Sequence, residues 1–224
     1  MTGQLMRATA MACVLGVPLG TAAAHAEMQL SFYLGAQSSP HSTVNYSDPT
    51  SGSFSFRAGW EGRSAETPPY YGVRATWWRS ENVGFGVELN HAKVYLEDDI
   101  RAANNFDRFE LTDGINIVTV NAFYRWPGRW ASGRLTPYVG GGAGLSIPHV
   151  DVQRDGGPKT FEYQVTGPAV AWMAGFNYDI NDTWGVFAEY KGTYSMNEAD
   201  LAGGGSFSTD IITNALNLGV SYNF

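Results

Sequence analysis

The chain has 224 residues, a formal net charge of −7 at pH 7, 14% aromatic residues and 27 glycines. An acidic chain is a poor candidate for nucleic-acid binding, so no nucleic-acid partner is expected. Beyond the first 26 residues no long apolar run occurs. This composition favours a β protein whose strands are apolar on one face only.

Residues 1–26 have the features of a secretory signal peptide. An apolar stretch from Ala8 to Ala24 follows one positive residue, and Ala24-His25-Ala26 is a small-residue cleavage signal. Cleavage after Ala26 removes Cys13, so the exported domain, residues 27–224, has no cysteine and no disulfide. We therefore expect an exported protein that is held together by other means.

Alternation of apolar and polar residues with a period of two recurs eight times in the exported domain. Each occurrence predicts a strand with one apolar face. The predicted strands are centred on residues 30–34, 71–77, 83–89, 118–124, 139–145, 170–176, 186–190 and 216–224. Residues 53–60 also alternate, and we assign them to an ordered part of the first long loop.

The connections between these strands are of two kinds. Short turns are predicted at 79–82, 127–134 and 180–183, and longer polar segments at 39–68, 96–113, 150–162 and 196–209. An even strand number with this layout is typical of outer-membrane barrels. We predict an all-β fold, an eight-stranded antiparallel transmembrane β-barrel with short periplasmic turns and longer extracellular loops.

Aromatic residues support the membrane interpretation. Tryptophans close to the short turns match an interfacial girdle, and Phe224 at the end of an alternating strand resembles the insertion signal of bacterial barrels. These tryptophans are Trp77, Trp78, Trp126, Trp130 and Trp184. The soluble alternative is a lipocalin-like barrel whose apolar side chains face inward.

Charged residues fall on the inward side of several predicted strands. We expect Arg74, Glu88, Glu189 and Lys191 to be paired inside the barrel, because an eight-stranded barrel is just wide enough to be filled by side chains. A catalytic or conducting lumen is the alternative.

Histidines mark the opposite, long-loop end. The exported domain contains only His41, His91 and His149, and all three lie at or beyond that end. In the segment VELNHAKVYLEDD, His91 and Lys93 continue the lipid-facing side of a strand, at the depth where acyl chains give way to head groups. His149 shares that side but lies six residues further from its turn, roughly 16 Å higher.

Five segments resemble the lipid A oxidases of rhizobia and related α-proteobacteria. They are LNHAKVYLEDD, FELTDGINIVTVNAFYRW, TPYVGGGAGLSIPHV, FEYQVTGPAVAWMAG and TDIITNALNLGVSYNF. The resemblance implies an outer-membrane enzyme that oxidises the proximal glucosamine of lipid A to 2-aminogluconate with dioxygen. Its expected partners are lipid A or lipopolysaccharide and the outer membrane, and we expect a monomer.

Oxidising a hemiacetal carbon requires a free anomeric hydroxyl, a base and an acceptor for two electrons. The chain has no flavin or nicotinamide motif, so a divalent metal ion such as iron or copper, held by His and carboxylate, is the remaining cofactor. We predict catalytic roles for His91, Lys93 and Asp113, metal ligation by His91, His149 and Glu162, and substrate contacts from Lys93, Arg101 and Arg108.

Two other functions remain open. One is a non-enzymatic barrel with a structural or surface-interaction role. The other is a different lipid A-modifying enzyme such as an acyl hydrolase, which is disfavoured because neither a G-x-S-x-G motif nor a suitably placed His and Ser pair occurs.

Overall fold

The computed structural model describes residues 27–128 and 130–224. The predicted signal peptide lies outside the described residues, as do the side chains of Thr112 and Asp113. The strands are β1 (Glu27–Asp48), β2 (Gly52–Glu61), β3 (Tyr71–Trp78), β4 (Val83–Leu96), β5 (Phe106–Arg125), β6 (Leu135–Arg154), β7 (Lys159–Tyr163), β8 (Gly167–Asp179), β9 (Trp184–Asp200) and β10 (Ser206–Asn223). A short helix, α1 (Asp98–Ala103), precedes β5, and a 3-10 turn spans Ala131–Gly133. Neither is long and apolar enough to cross a membrane.

Eight of these strands close into a ring. Its order is β1, β3, β4, β5, β6, β8, β9 and β10, with antiparallel pairing at every step. β10 pairs back onto β1, from Gln29 opposite Asn223 to Ser47 opposite Ser206. Closure satisfies the backbone hydrogen bonds without leaving an open edge. The predicted eight-stranded antiparallel barrel is confirmed.

The outer wall of the ring is apolar. Val83, Phe85, Val87 and Leu89 on β4 are exposed, whereas Glu88 and Asn90 between them are buried. The same alternation holds on the other ring strands, so apolar side chains form a continuous outward band. A lipocalin-like barrel requires the reverse arrangement.

The tryptophan girdle is confirmed for three of the five predicted tryptophans, and Trp126 is half-buried. Trp77, Trp130 and Trp184 are exposed at the short-turn end. Trp78, however, is buried inside the barrel, where the Arg125 guanidinium lies 3.9 Å from its ring centroid. Trp77 and Trp78 are consecutive on a strand, so only one of them can face outward.

The charged lumen residues are paired as predicted. Glu88 lies 3.0 Å from Arg74 and 2.7 Å from Lys191, and Arg74 also lies 2.8 Å from Glu189. The Tyr33 hydroxyl donates a further hydrogen bond to Glu88 at 2.6 Å. All these side chains are buried, so the network fills the barrel interior at this level.

The predicted long loops are mostly strand, which corrects the sequence interpretation. β1, β5, β6, β9 and β10 all continue past the apolar band into the segments 39–68, 96–113, 150–162 and 196–209. Their inward side chains form a second, aromatic core, in which the rings of Phe106, Phe109 and Phe207 lie at centroid distances of 5.0 Å. Most of the outward side chains there are polar, which gives the sequence a loop-like composition.

Residues 53–60 are ordered, as predicted, and they lie between β1 and β4 in the upper part of the sheet. They belong to β2, which forms a hairpin with the upper half of β1, where Val44 pairs with Phe56. At its end β2 also pairs with the top of β4, through Trp60 and Leu96. The hairpin thus braces the upper part of β4.

This topology predicts where proteases can cut intact cells. Cleavage is expected only between strands at the long-loop end, at residues 49–51, 62–70, 97–105, 155–158 and 201–205. Strand backbone is hydrogen-bonded and cannot enter a protease cleft, so the remainder of the upper barrel should resist. Mass spectrometry of the fragments checks this. If protease added to sealed cells cut the protein within residues 127–134, the barrel would have the opposite orientation.

Candidate functional site

His91 lies on the outer side of β4, one position above the apolar band. It pairs with Tyr71 on β3 and Asn116 on β5. The Tyr71 ring stacks on the imidazole at a centroid distance of 4.8 Å, and His91 Nδ1 lies 3.0 Å from Asn116 Oδ1. Only 3% of His91 is exposed. The prediction that His91 faces lipid is therefore wrong, because neighbouring strands cover the ring.

Lys93 is also buried, with 1% exposure. Its Nζ donates to the carbonyl oxygen of Glu66 at 2.9 Å, and its own carbonyl accepts from Gln37. The ammonium lies 5.5 Å from the Tyr95 ring centroid. The segment between β2 and β3 folds over this part of β4, so Lys93 binds protein backbone. The prediction that Lys93 lies on the lipid-facing surface is therefore wrong.

A bulge separates His91 from the upper part of the barrel. The register of β4 with β5 shifts between Ala92 and Val94, and that of β5 with β6 shifts between Thr112 and Ile115. Gly114 lies in this bulge with a φ of +96°, and a side chain there would meet the His91 ring. Asp113 occupies the same bulge, but its side chain lies outside the described residues. The His91 ring therefore supports the bulge directly.

His149 is closer to His91 than counting from the turns indicated. Asn116 on β5 pairs with His91 on β4 and with Ile147 on β6. His149 is therefore only two residues, about 7 Å, above the level of His91. The predicted offset of six residues ignored the stagger between neighbouring strands in a tilted barrel. His149 is 5% exposed. The rings of Phe161 and Tyr163 pack edge-to-face with its imidazole at centroid distances of 4.4 and 4.8 Å.

Glu162 is not brought to the two histidines. It pairs with the inward residue Val150, on the opposite face of β7 from Phe161 and Tyr163. Its carboxylate accepts a hydrogen bond from Gln164 at 3.1 Å. Among the side chains that the structure describes, no three His, Cys, Asp or Glu residues lie close enough together to hold a metal ion. The predicted set of His91, His149 and Glu162 does not fit a metal centre.

A lateral cleft of about 490 Å³ opens on the outer wall above the buried histidines. It lies between the segment that follows β2, helix α1 and the upper ends of β4, β5 and β6. Its lining comprises Arg63, Thr67, Pro68, Tyr95, Leu96, Asp98, Arg101, Asp107, Arg108, Phe109, Glu110, Asp151 and Phe161. The structure thus places Arg101 and Arg108, both predicted substrate contacts, in one cleft.

Two carboxylates share Arg108 at the floor of the lateral cleft. Its guanidinium lies 2.5 Å from Glu110 and 3.4 Å from Asp151, and Lys159 lies 3.1 Å from Asp151 on the other side. Burial raises the pKa of the Glu110 carboxyl, and the charge of Arg108 partly opposes this rise. A carboxylate with a raised pKa in a polar cleft is suited to accept a proton.

Comparison with known proteins identifies the family. Residues 9–224 match the family described as outer membrane protein beta-barrel domain. The chain belongs to this family. No curated protein matches the chain.

Several solved outer-membrane barrels are similar to this one. Neisserial surface protein A is 16% identical, with a TM-score of 0.49, over 88% of this chain and 96% of that chain. Ail of Yersinia pestis is 13% identical, with a TM-score of 0.43, over 89% and 99%. The outer membrane protease OmpT from Escherichia coli is 7% identical, with a TM-score of 0.44, over 88% and 97%. None of these likenesses carries an inference about activity.

Membership in the family places the lateral cleft relative to the membrane. In an outer-membrane barrel the apolar band faces acyl chains, and the wall directly above it faces lipid head groups. The lateral cleft opens sideways at that upper level. It therefore faces the lipid head groups on the long-loop side of the membrane.

Glu110 and Arg63 are two residues of the lateral cleft that were not predicted from the sequence. Glu110 alternates with Phe109 and Leu111, both of which belong to the buried aromatic core, so its outward direction could have been read from the pattern. Residues 96–113 had been interpreted as a loop, and for that reason no parity was assigned to them. Arg63 lies on an irregular segment, and no period in the sequence could have placed it in the lateral cleft.

Proposed function

We propose that this outer-membrane barrel oxidises the proximal glucosamine of lipid A to 2-aminogluconate, with dioxygen as the oxidant. The observation that carries the proposal is the lateral cleft, a polar cavity on the outer wall at the level of lipid head groups. The sequence resemblance to lipid A oxidases supports the same substrate.

Three arginines suit the cleft to a sugar head group that presents several oxygen atoms. Arg63, Arg101 and Arg108 all line it. Guanidinium groups bind phosphate and hydroxyl oxygens through several parallel N–H donors. Arg101 is held in place by the carboxylate of Asp98 at 2.9 Å and by the carbonyl of Asp107 at 2.8 Å. Such an arrangement orients a head group without requiring the arginine to reorganise.

The reaction removes two electrons from the anomeric carbon. The anomeric O–H and C–H bonds break, a C=O bond forms, and two electrons and two protons pass to dioxygen, which becomes hydrogen peroxide. The resulting lactone adds one water and opens to the acid. The product therefore carries one more oxygen atom than the substrate.

Glu110 is the residue best placed to take the hydroxyl proton. It lines the lateral cleft, and its raised pKa brings its basicity closer to that useful for proton transfer at neutral pH. Arg108 lies beside it and stabilises negative charge that develops on the sugar oxygen. The predicted ligand set does not fit a metal, and no step is routed through one.

His91 acts in this proposal from beneath the cleft, as a positioning residue. Its ring packs against the bulge at Gly114. This bulge connects the membrane-spanning part of β5 to its upper part, which carries Glu110. His91→Ala is expected to lower lipid A oxidation roughly 10²-fold, because displacing a catalytic group by about 1 Å has an effect of that size. The heat-modifiable mobility of a folded barrel should remain.

Two further variants separate positioning from chemistry. His91→Phe keeps a ring against Tyr71 and Gly114, and it should restore most of the activity lost in His91→Ala. His41→Ala is the matched control, since His41 is exposed at the long-loop end. If His91→Phe were as inactive as His91→Ala, the base or ligand role originally predicted for His91 would be favoured over positioning.

Mass spectrometry of lipid A from cells with and without the gene tests the proposed function. One added oxygen on the proximal sugar is expected only when the gene is present. Loss of an acyl chain would indicate a different lipid A-modifying enzyme. Unchanged lipid A would indicate a non-enzymatic barrel.

A further inference from the structure

An apolar stripe climbs the outer wall beside the lateral cleft. It consists of Val170, Pro168, Val165, Tyr163 and Phe161. Phe161, Tyr163 and Val165 are 59%, 57% and 64% exposed. Pairing with β6 puts Pro168 opposite Leu145, Tyr163 opposite His149 and Phe161 opposite Asp151, all on the outward side. The stripe is therefore a direct upward continuation of the lipid-facing band.

The segment between β7 and β8 is held firmly on the wall. Gln164 N donates to Pro148 O at 3.1 Å, and Thr166 N donates to Ser146 O at 3.0 Å. These bonds continue the register of β7, so Val165 faces outward with Tyr163, and the register with β6 changes by one residue only where β8 begins. Apolar exposure at this place is therefore part of an ordered strand surface.

The stripe rises above the acyl layer. Asp151, opposite Phe161, lies twelve residues beyond the exposed Val139 on the same strand. At about 2.6 Å of rise per residue this is about 31 Å, whereas the apolar band of an outer-membrane barrel is about 25 Å tall. Phe161 and its neighbours thus stand in the head-group layer. Aromatic rings are common at that depth, but the exposed aliphatic side chain of Val165 is unfavourable there unless something covers it.

The stripe borders the polar side of the wall directly. Phe161 lines the lateral cleft, and the Lys159 ammonium lies 4.3 Å from its ring centroid while reaching Asp151 at 3.1 Å. Phe161 therefore has charged groups on one side and the rest of the apolar stripe on the other. A surface divided in this way fits an amphiphile with a charged head and an apolar tail attached close to it.

We propose that the apolar stripe holds an acyl chain of the lipopolysaccharide whose head group enters the lateral cleft. The identity of that head group rests on the proposed function. The cleft lies at the level of the head groups, and the acyl chains are attached directly to the sugar, so the first part of a chain lies beside the cleft before it enters the acyl layer. The stripe is continuous with the lipid-facing band and gives that chain an apolar path beside the head-group site.

Spin labelling tests the proposal, because cleavage after Ala26 leaves no cysteine in the exported domain. A nitroxide is placed at Val165→Cys, with Leu218→Cys in the apolar band and Ser51→Cys at an exposed turn as controls. The full barrel is reconstituted in phosphatidylethanolamine vesicles with or without lipopolysaccharide. Collision of each label with dioxygen and with a polar nickel complex is then measured.

With lipopolysaccharide present, the label at residue 165 should shift from the polar behaviour of the Ser51→Cys control toward the apolar behaviour of the Leu218→Cys control. Both controls should stay unchanged. Polar behaviour in both kinds of vesicle would overturn the proposal. So would apolar behaviour without lipopolysaccharide, which indicates ordinary bilayer, or spin–spin coupling between labels, which indicates a second copy of the chain. No turnover is measured, so failure of the oxidase proposal gives a different result from failure of this one.

Discussion

Glu110→Gln is expected to lower the rate of lipid A oxidation by roughly 10²- to 10⁴-fold, the range for loss of a general base. Glutamine keeps the size of the side chain and can still accept a hydrogen bond from Arg108, but it cannot take up a proton. Glu110 is buried at the floor of the lateral cleft, where the substrate sugar would lie. The measurement is the rate at which oxidised lipid A forms in detergent with purified barrel.

Glu162→Gln is the matched control for this variant. Its carboxylate lies on the face of β7 opposite Phe161. There it accepts a hydrogen bond from Gln164 and does not face the lateral cleft. Its activity should equal that of the unmodified chain. An inactive Glu162→Gln together with an active Glu110→Gln would favour the site residues predicted from sequence over those selected by the structure.

The pH dependence of oxidation provides a second test of Glu110. A general base works when it is deprotonated, so activity should fall as the pH drops through the pKa of Glu110. Burial raises that pKa and Arg108 lowers it. Arg108→Gln should therefore move the acidic limb of the rate profile to higher pH, in addition to any loss of substrate binding. If the acidic limb did not move, it would reflect the titration of a group other than Glu110.

Glu88→Gln is expected to have the largest effect on stability. It removes the charge between Arg74 and Lys191 and leaves two buried cations with reduced compensation. Breaking a buried pair in this way lowers the free energy of unfolding by roughly 3–5 kcal/mol. Urea unfolding in lipid vesicles, followed by heat-modifiable mobility, measures the change.

Glu198→Gln serves as the control for that measurement. Glu198 is an exposed carboxylate on β9, and its replacement should change the free energy of unfolding by less than about 0.5 kcal/mol. If Glu88→Gln kept its full thermal stability but lost oxidation, the catalytic site would lie in the lumen and not on the outer wall.

The sequence predicted the lower half of the barrel well. Alternation from Val83 to Leu89 places every second side chain outward, and a slip of one residue would turn all of them inward. The same parity put Arg74, Glu88, Glu189 and Lys191 in the lumen, where low polarity makes pairing necessary. Trp78 could not be placed by proximity to a turn, because only its parity decides between girdle and lumen.

The upper half was predicted poorly, for a physical reason. Above the membrane the outward side chains face water and head groups, so strands such as the upper part of β5 are polar on one face and contain glycine and aspartate. Composition alone cannot distinguish such strands from loops. Alternation through Phe109 and Leu111 on β5, and through Val150 and Val152 on β6, is present, but it marks an aromatic core that only becomes apparent once the strands are paired.

The sequence by itself determined the number of ring strands, the direction of each side chain in the apolar band and the pairing of charges in the lumen, because these follow from a period of two along single strands. The tertiary structure alone decided what covers His91 and Lys93, how near His149 comes, and that Arg63, Arg101, Arg108 and Glu110 meet in one cleft. These features depend on strand stagger, on the bulge at Gly114 and on the segment folded over β4. Each joins residues that are distant in the chain, and no local pattern records such a relation.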